Sequence, residues 1–285
     1  MGEAEVVGVD RPGVRAEIRE SYWTDNTNPF KDPALCKVLV GEPSLGIVDS
    51  IIYDNRKDFW CELKRLETHS NLRFFNAATQ RLMVTYAREC LAEYAIDQGM
   101  DYLFMVDDDM MVPKNLFAHL LTTALKTGAD ITAPICTTRH HPYRPVMYRL
   151  QEVEVDGQKR KHSTYVEEYE PQSVIDDLDA VGVGVVLIKT ELLKKMQKPL
   201  FFTNTNVGED IGFCWRAKFD HGAKIVVDTR LKIGHMGMPK WVTEKDYVEA
   251  TKKGDKFKAV YPDLGRELQD IERLNEIREV RVGAQ

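Results

Sequence analysis

The chain has 285 residues, of which 43% are hydrophobic and 29% charged. That length and core content fit one large α/β domain or two small ones, and exclude a largely disordered chain, a collagen-like chain and a coiled-coil rod. The formal net charge is −6, with 45 acidic against 39 basic residues, the wrong sign for a non-specific nucleic-acid binder, although a local basic patch stays open.

No run of eighteen apolar residues occurs, so no membrane span is expected. The charged N-terminus, MGEAEVVGVDRPGVRAEIRE, lacks the apolar stretch of a secretory signal. Val6 stands where a myristoylation signal wants Ser or Thr. Cys36, Cys61, Cys90, Cys136 and Cys214 are widely spaced with no C-x-x-C pair. They read as buried thiols of a reducing compartment, and a cytoplasmic protein is expected.

In chain order, residues 1–35 read as an extension, with the turn-rich stretch Thr24 to Pro29. Lys37-Val38-Leu39-Val40 carries a strand signal, and Gly41 to Gly46 looks like a turn after it. From Arg81 to Gln98, apolar residues recur at helical spacing: Leu82, Met83, Tyr86, Ala87, Cys90, Leu91, Tyr94 and Ala95. Gly99 suits the end of that helix. Tyr102 to Val106 is continuously apolar, as in a strand buried on both faces, and it stops in Asp107-Asp108-Asp109. Pro113 opens a further helix closed by Gly128, and Ile131 to Ile135 is the next strand. This alternation implies a mainly parallel sheet.

The charged, alternating segment Tyr148 to Glu170 predicts an inserted β-hairpin, with Asp156-Gly157 at its turn and Gln158 to His162 as a polar tip. Val181 to Ile188 predicts one strand, with a helix after Thr190. Another helix is expected from Gly208 to His221, stopped by Gly222, and then a strand at Lys224 to Val227. From Trp241 onward a charged helical tail is expected, with an apolar stripe at Leu264, Leu268, Ile271, Leu274 and Ile277. Gly182 and Gly184 lack the third glycine of a dinucleotide fingerprint and read as strand glycines that admit a close neighbour. His140-His141 precedes a proline and reads as a surface loop.

The acid triplet is the sharpest feature. Ligands of parallel α/β sheets bind at the carboxyl ends of strands. Three carboxylates there repel one another and raise their pKa values, and a hard divalent cation relieves the strain. On that argument, deleting one of them should slightly stabilise the metal-free protein. The alternative is a loop start with solvated carboxylates. Glu209-Asp210 either complements its helix dipole or supplies a general base. His235, between Gly234 and Met236-Gly237, is either structural or a ligand approached closely past its glycine neighbour.

In this order the pieces resemble GT-A glycosyltransferases of the family-2-like kind. Tyr86 to Glu89 through Asp107-Asp108-Asp109-Met110 is similar to their helix, strand and D-x-D motif. Val181 to Leu193 resembles their glycine-bearing acceptor-side strand, Gly208-Glu209-Asp210 their ED helix, and Lys224 to His235 the closing strand with its metal-site histidine. Two positions differ. Gly41-Glu42-Pro43 replaces the usual nucleotide loop, and Arg88-Glu89 stands where many members have Arg-Asn.

The resemblance implies a Rossmann-like, mainly parallel sheet flanked by helices over residues 36–240. It implies a nucleotide-binding half at about 36–135, an acceptor half at about 136–240, and a tail at 241–285. It implies transfer of a sugar from a UDP- or GDP-sugar to an acceptor hydroxyl, with inversion. The acceptor, whether glycan, small molecule, protein or nucleic acid, stays open. Mn²⁺ (or Mg²⁺) would be held by Asp109, Asp107 and His235. Asp107, Asp108, Pro43 and Arg88 would contact the nucleotide, and Asp210, or Glu209, would be the base. Because ligation requires neutral imidazole, metal affinity is expected to fall below pH of about 6.5. A metal-dependent nucleotidyltransferase and a non-catalytic nucleotide- or sugar-binding module are the competing readings.

Overall fold

The structure, a computed structural model, describes residues 36–46, 48–155, 158–203, 208–237 and 241–252. The N-terminal extension, the Asp156-Gly157 turn and the apolar stripe at 264–277 lie outside the described residues.

Strand β1 (Cys36–Ser44) leads into helix α1 (Ser50–His69), β2 (Leu72–Gln80), α2 (Val84–Asp97) and β3 (Tyr102–Val106). The short β4 (Met110–Met111), α3 (Leu116–Thr127) and β5 (Ile131–Ile135) follow. Next come β6 (Met147–Val155) and β7 (Gln158–Tyr165), then β8 (Val174–Ile175), β9 (Ala180–Val181), β10 (Val185–Lys189) and α4 (Thr190–Lys195). The chain continues with α5 (Glu209–His221), β11 (Ile225–Lys232), β12 (Gly234–Met236), β13 (Trp241–Val242) and α6 (Glu244–Lys252).

Seven strands form a central sheet in the order β2-β1-β3-β10-β5-β11-β8. The pairs β1–β2, β1–β3 and β5–β11 are parallel, whereas β10 runs against both β3 and β5. The fold is thus mixed α/β with a mainly parallel sheet between two helical layers. The layers can be read along β3, whose alternate side chains face opposite sides. Leu103 and Met105 pack with Leu91, Ala92 and Ala95 of α2, while Phe104 and Val106 pack with Phe59 of α1 and Phe117 of α3. Helix α1 is capped by Asp49, whose carboxylate accepts the Ile51 amide at 2.8 Å. Its buried side chains Ile52, Arg56, Phe59, Leu63 and Leu66 keep a helical spacing that includes one arginine.

The structure departs from the sequence reading in several places. Strand β1 continues through Gly41 to Ser44 where a turn was expected. Gly41 lets α2 lie close on β1 there: a Cβ would sit 3.1 Å from Leu91 and 3.4 Å from Leu103. Helix α2 begins at Val84 rather than Arg81, and it turns Tyr86 and Tyr94 outward. Its buried residues are instead Ala87, Arg88, Glu89, Leu91, Ala92 and Ala95, small enough to lie close on the sheet apart from two charges. The expected strand Val181 to Ile188 is broken at Gly182 to Gly184, with β9 pairing β6 and β10 joining the central sheet. The hairpin is present, but Lys159 to His162 lie within β7, opposite residues 151–154 of β6, rather than at its tip. Trp241 and Val242 form a strand before α6 begins. Cys61 is exposed; Cys136 and Cys214 are buried.

Candidate active site

The site assembles where β3 ends. The Asp107 amide donates to the Gly184 carbonyl at 2.7 Å, which fixes the start of the acid triplet against the amino end of β10. A side chain at Gly184 would press on two neighbours of the site. A Cβ there would lie 2.5 Å from Met110 Cε and 3.3 Å from Asp107 Oδ2. At Gly182 the close neighbour is Val146, at 3.0 Å.

Arg88 is the hub. Its guanidinium donates to Asp107 Oδ2 at 2.7 Å and to Glu209 Oε1. It is buried, and burial alone would lower its pKa, but Asp107, Glu209 and Asp210 outweigh that and raise it. One buried cation therefore ties the end of β3 to the first turn of α5. The adjacent Glu89 is also buried, and it accepts the Phe201 amide at 2.7 Å. Its carboxylate thus holds the backbone at Phe201, ahead of α5.

The three acids have different surroundings, so the expectation of a uniform rise fails. Burial pushes Asp107 up to about 6, opposed by Arg88. Burial also pushes Asp109 up, but His235 and Arg139 outweigh it and hold Asp109 below the ordinary carboxylate range. Asp108 is engaged by β1 and the residue after it: its Oδ2 accepts from Ser44 Oγ and the Leu45 amide, both at 2.8 Å. Pro43 is buried in β1, opposite Thr79 of β2. Arg56 of α1 donates to the Asp107 carbonyl at 2.5 Å and lies 3.7 Å from Glu42. Arg56 was not singled out by the sequence; only a charged residue at a core spacing of α1 signals it.

The structure brings His235 to Asp109. Strand β12 pairs with β4, placing His235 opposite Met110, and the Met236 amide donates to the Asp109 carbonyl at 2.9 Å. His235 Nδ1 lies 2.8 Å from the Thr137 carbonyl, which leaves Nε2 to face Asp109 Oδ2 at 3.5 Å. Burial works against the charged imidazole, but the Asp109 contact, with Cys136 and Thr137, raises its pKa to about 10. The Asp109 contact thus favours the charged imidazole and shifts its proton loss above the range of an ordinary histidine. Arg139, also absent from the sequence reading, approaches the same Asp109 oxygen at 3.1 Å.

Asp210 sits in the first turn of α5, and its Oδ1 accepts the Ile211 amide at 2.7 Å. Burial, then the neighbouring Glu209, raises its pKa. Asp107, Arg88, Glu209 and Asp210 thus form one electrostatic group, with Asp109 and His235 beside it. Two buried carboxylate oxygens, Asp107 Oδ1 and Asp109 Oδ1, have no hydrogen-bond partner among the described residues. No three His, Cys, Asp or Glu side chains converge on one point among the described residues. No helix among them is long and apolar enough to cross a membrane.

No protein-family model and no curated protein sequence matches the chain. Among solved structures, A197 from STIV is 19% identical, with 70% of this chain and 85% of that chain covered at a TM-score of 0.49. UTP-bound UGPase from Acinetobacter baumannii is 10% identical, covering 84% and 98% at a TM-score of 0.39. HddC from Yersinia pseudotuberculosis is 7% identical, covering 76% and 99% at a TM-score of 0.36.

Proposed function

We propose that the chain is a metal-dependent glycosyltransferase of the GT-A type, moving a sugar from a UDP- or GDP-sugar to an acceptor hydroxyl with inversion. The observation that carries this reading is the meeting of Asp109 and His235 from distant segments, next to two carboxylate oxygens with no hydrogen-bond partner among the described residues. A carboxylate oxygen and an imidazole nitrogen suit Mn²⁺ better than Mg²⁺. The Nδ1 contact with the Thr137 carbonyl is the outer support that a ligating histidine needs. Asp109 and His235 would hold the ion, Asp107 would present Oδ1 beside it, and diphosphate oxygens and water would complete the shell. When bound, the ion neutralises charge that builds on the departing diphosphate.

The protein's own groups account for the rest. Arg88 holds Asp107 and Glu209 in fixed relation, so the donor end and α5 cannot drift apart. Asp108 fastens Ser44 and Leu45, shaping the nucleotide side next to Pro43. Asp210 takes the acceptor proton. Its raised pKa makes it a stronger base than a solvated aspartate, and such a step contributes roughly 10²–10⁴-fold. Nucleotidyl transfer would instead want cations on a triphosphate loop, and residues 45–49 after β1, Leu-Gly-Ile-Val-Asp, supply none.

The test is incubation with a panel of UDP- and GDP-sugars, Mn²⁺ and candidate acceptors. Release of nucleoside diphosphate, lost in Asp109→Ala, supports glycosyl transfer. Release of pyrophosphate from a nucleoside triphosphate and a sugar phosphate would establish nucleotidyl transfer in its place. Nucleotide binding without turnover across the panel would leave a binding module.

A further inference from the structure

The loop between β5 and β6 delivers one more cation to the acids. Its stem is fixed: Thr137 bridges Pro145, the Thr138 amide donates to the Arg144 carbonyl at 2.9 Å, and the Thr137 carbonyl meets His235. From that stem Arg139 reaches Asp109 Oδ2 at 3.1 Å, the oxygen that His235 Nε2 also approaches. The other two guanidinium groups of the site are buried and held from two sides, Arg88 by Asp107 and Glu209, Arg56 by the Asp107 carbonyl and Glu42. The Arg139 side chain is 55% exposed, and its ion pair is with Asp109.

A divalent cation on Asp109 repels the guanidinium held against the same carboxylate and so weakens that pair. An ion pair whose cation is half exposed to solvent gives way more readily than a buried one. Once displaced, the Arg139 fork lies at the mouth of a site that has just gained a diphosphate, the group whose paired oxygens a guanidinium matches best. We propose that Arg139 grips the donor diphosphate: it rests on Asp109 in the free protein and transfers to the diphosphate when metal and nucleotide bind. This rests on the donor-site reading above.

The test uses the full chain stripped of metal, with Arg139→Gln and Arg139→Lys, and titration calorimetry. Because Arg139 is exposed, both variants should keep the wild-type urea midpoint. Arg139→Gln should bind Mn²⁺ alone roughly 2–5-fold more tightly, since a competing cation is gone. At saturating Mn²⁺ it should bind UDP or GDP, whichever the wild type prefers, roughly tenfold or more weakly, and Arg139→Lys should recover part of that. UMP and GMP, which carry a single phosphate, should lose much less. A purely structural role would move the metal and the diphosphate affinities in the same direction. Wild-type diphosphate affinity in Arg139→Gln overturns this inference and leaves the donor site standing. If the wild type itself binds neither UDP nor GDP with Mn²⁺, the donor-site reading falls and this one with it.

Discussion

Arg88→Met keeps the side-chain stem and removes the fork that joins Asp107 to Glu209. The three side chains are 6%, 19% and 17% exposed, so the loss is of a largely buried triad. Even with Arg88 in place, burial leaves Asp107 about two units above its ordinary value of 3.8. At about 1.4 kcal/mol per unit, keeping it ionised therefore costs about 3 kcal/mol. Without Arg88 the Asp107 pKa rises further. The sign follows from linkage: a carboxylate raised in the folded state loses stability as pH rises from its unfolded value to its folded one. Wild type should therefore stop losing stability from this group near pH 6, while the variant goes on losing it to higher pH. At pH 5 Asp107 is largely protonated in both proteins and the penalty is small. At pH 8 it should reach about 3–5 kcal/mol, the usual result of stripping one partner from a buried pair. Urea denaturation with a chelator at pH 5, 6.5 and 8 measures it. A loss below about 1 kcal/mol at pH 8, or an equal loss at pH 5 and 8, would refute the role of Arg88 as hub.

Asp109→Ala should abolish Mn²⁺-dependent binding of nucleoside diphosphate in calorimetry. Contrary to the repulsion argument, it should also lower the urea midpoint of the metal-free protein, because it strips His235 and Arg139 of a shared partner; an unchanged or raised midpoint would restore that argument. Asp210→Asn should leave nucleotide affinity within about threefold but lower kcat by roughly 10²-fold or more, whereas near-normal turnover would reduce Asp210 to a helix-end residue. Gly184→Val should displace Met110 and Asp107, costing about 1–3 kcal/mol and weakening diphosphate binding; wild-type values for both would show that the gap beside Gly184 is not needed.

Much of the central framework can be read from local signals. The apolar run of β3 and its acid stop announce a buried strand with a polar end. Gly99, Gly128 and Gly222 mark helix ends, and each adopts the positive φ those positions require, at 60°, 71° and 67°. What the sequence hides is set by tertiary contact. Helix α1 keeps its period only when its buried arginine is counted, and strand β2 gives none, with just one buried residue, Leu72. The break at Gly182 to Gly184 follows from β9 and β10 serving different sheets, a demand that local sequence does not carry. Arg88 was visible only through resemblance, and its partner Glu209 lies too far along the chain for spacing to reveal. Arg139 carries no local signal of function, since an arginine in a loop is ordinarily solvated, and Arg56 shows only as a charge at a core spacing of α1. The differing titration of Asp107 and Asp109 depends on which cations reach each one, and only the fold decides that.

The contact between Asp107 and Gly184 joins main chain to main chain. Because β10 runs against its neighbours, its first residues, not its last, meet the end of β3. The position of the first acid is thereby set by an amide and a carbonyl that every residue type but proline supplies. Side-chain replacement short of proline cannot delete such a link, so an alanine scan of the site would credit Arg88 or Glu209 with rigidity that partly belongs to the backbone. Changing the peptide nitrogen of Asp107 to an ester oxygen would remove that bond while leaving every side chain in place, and would separate the two contributions.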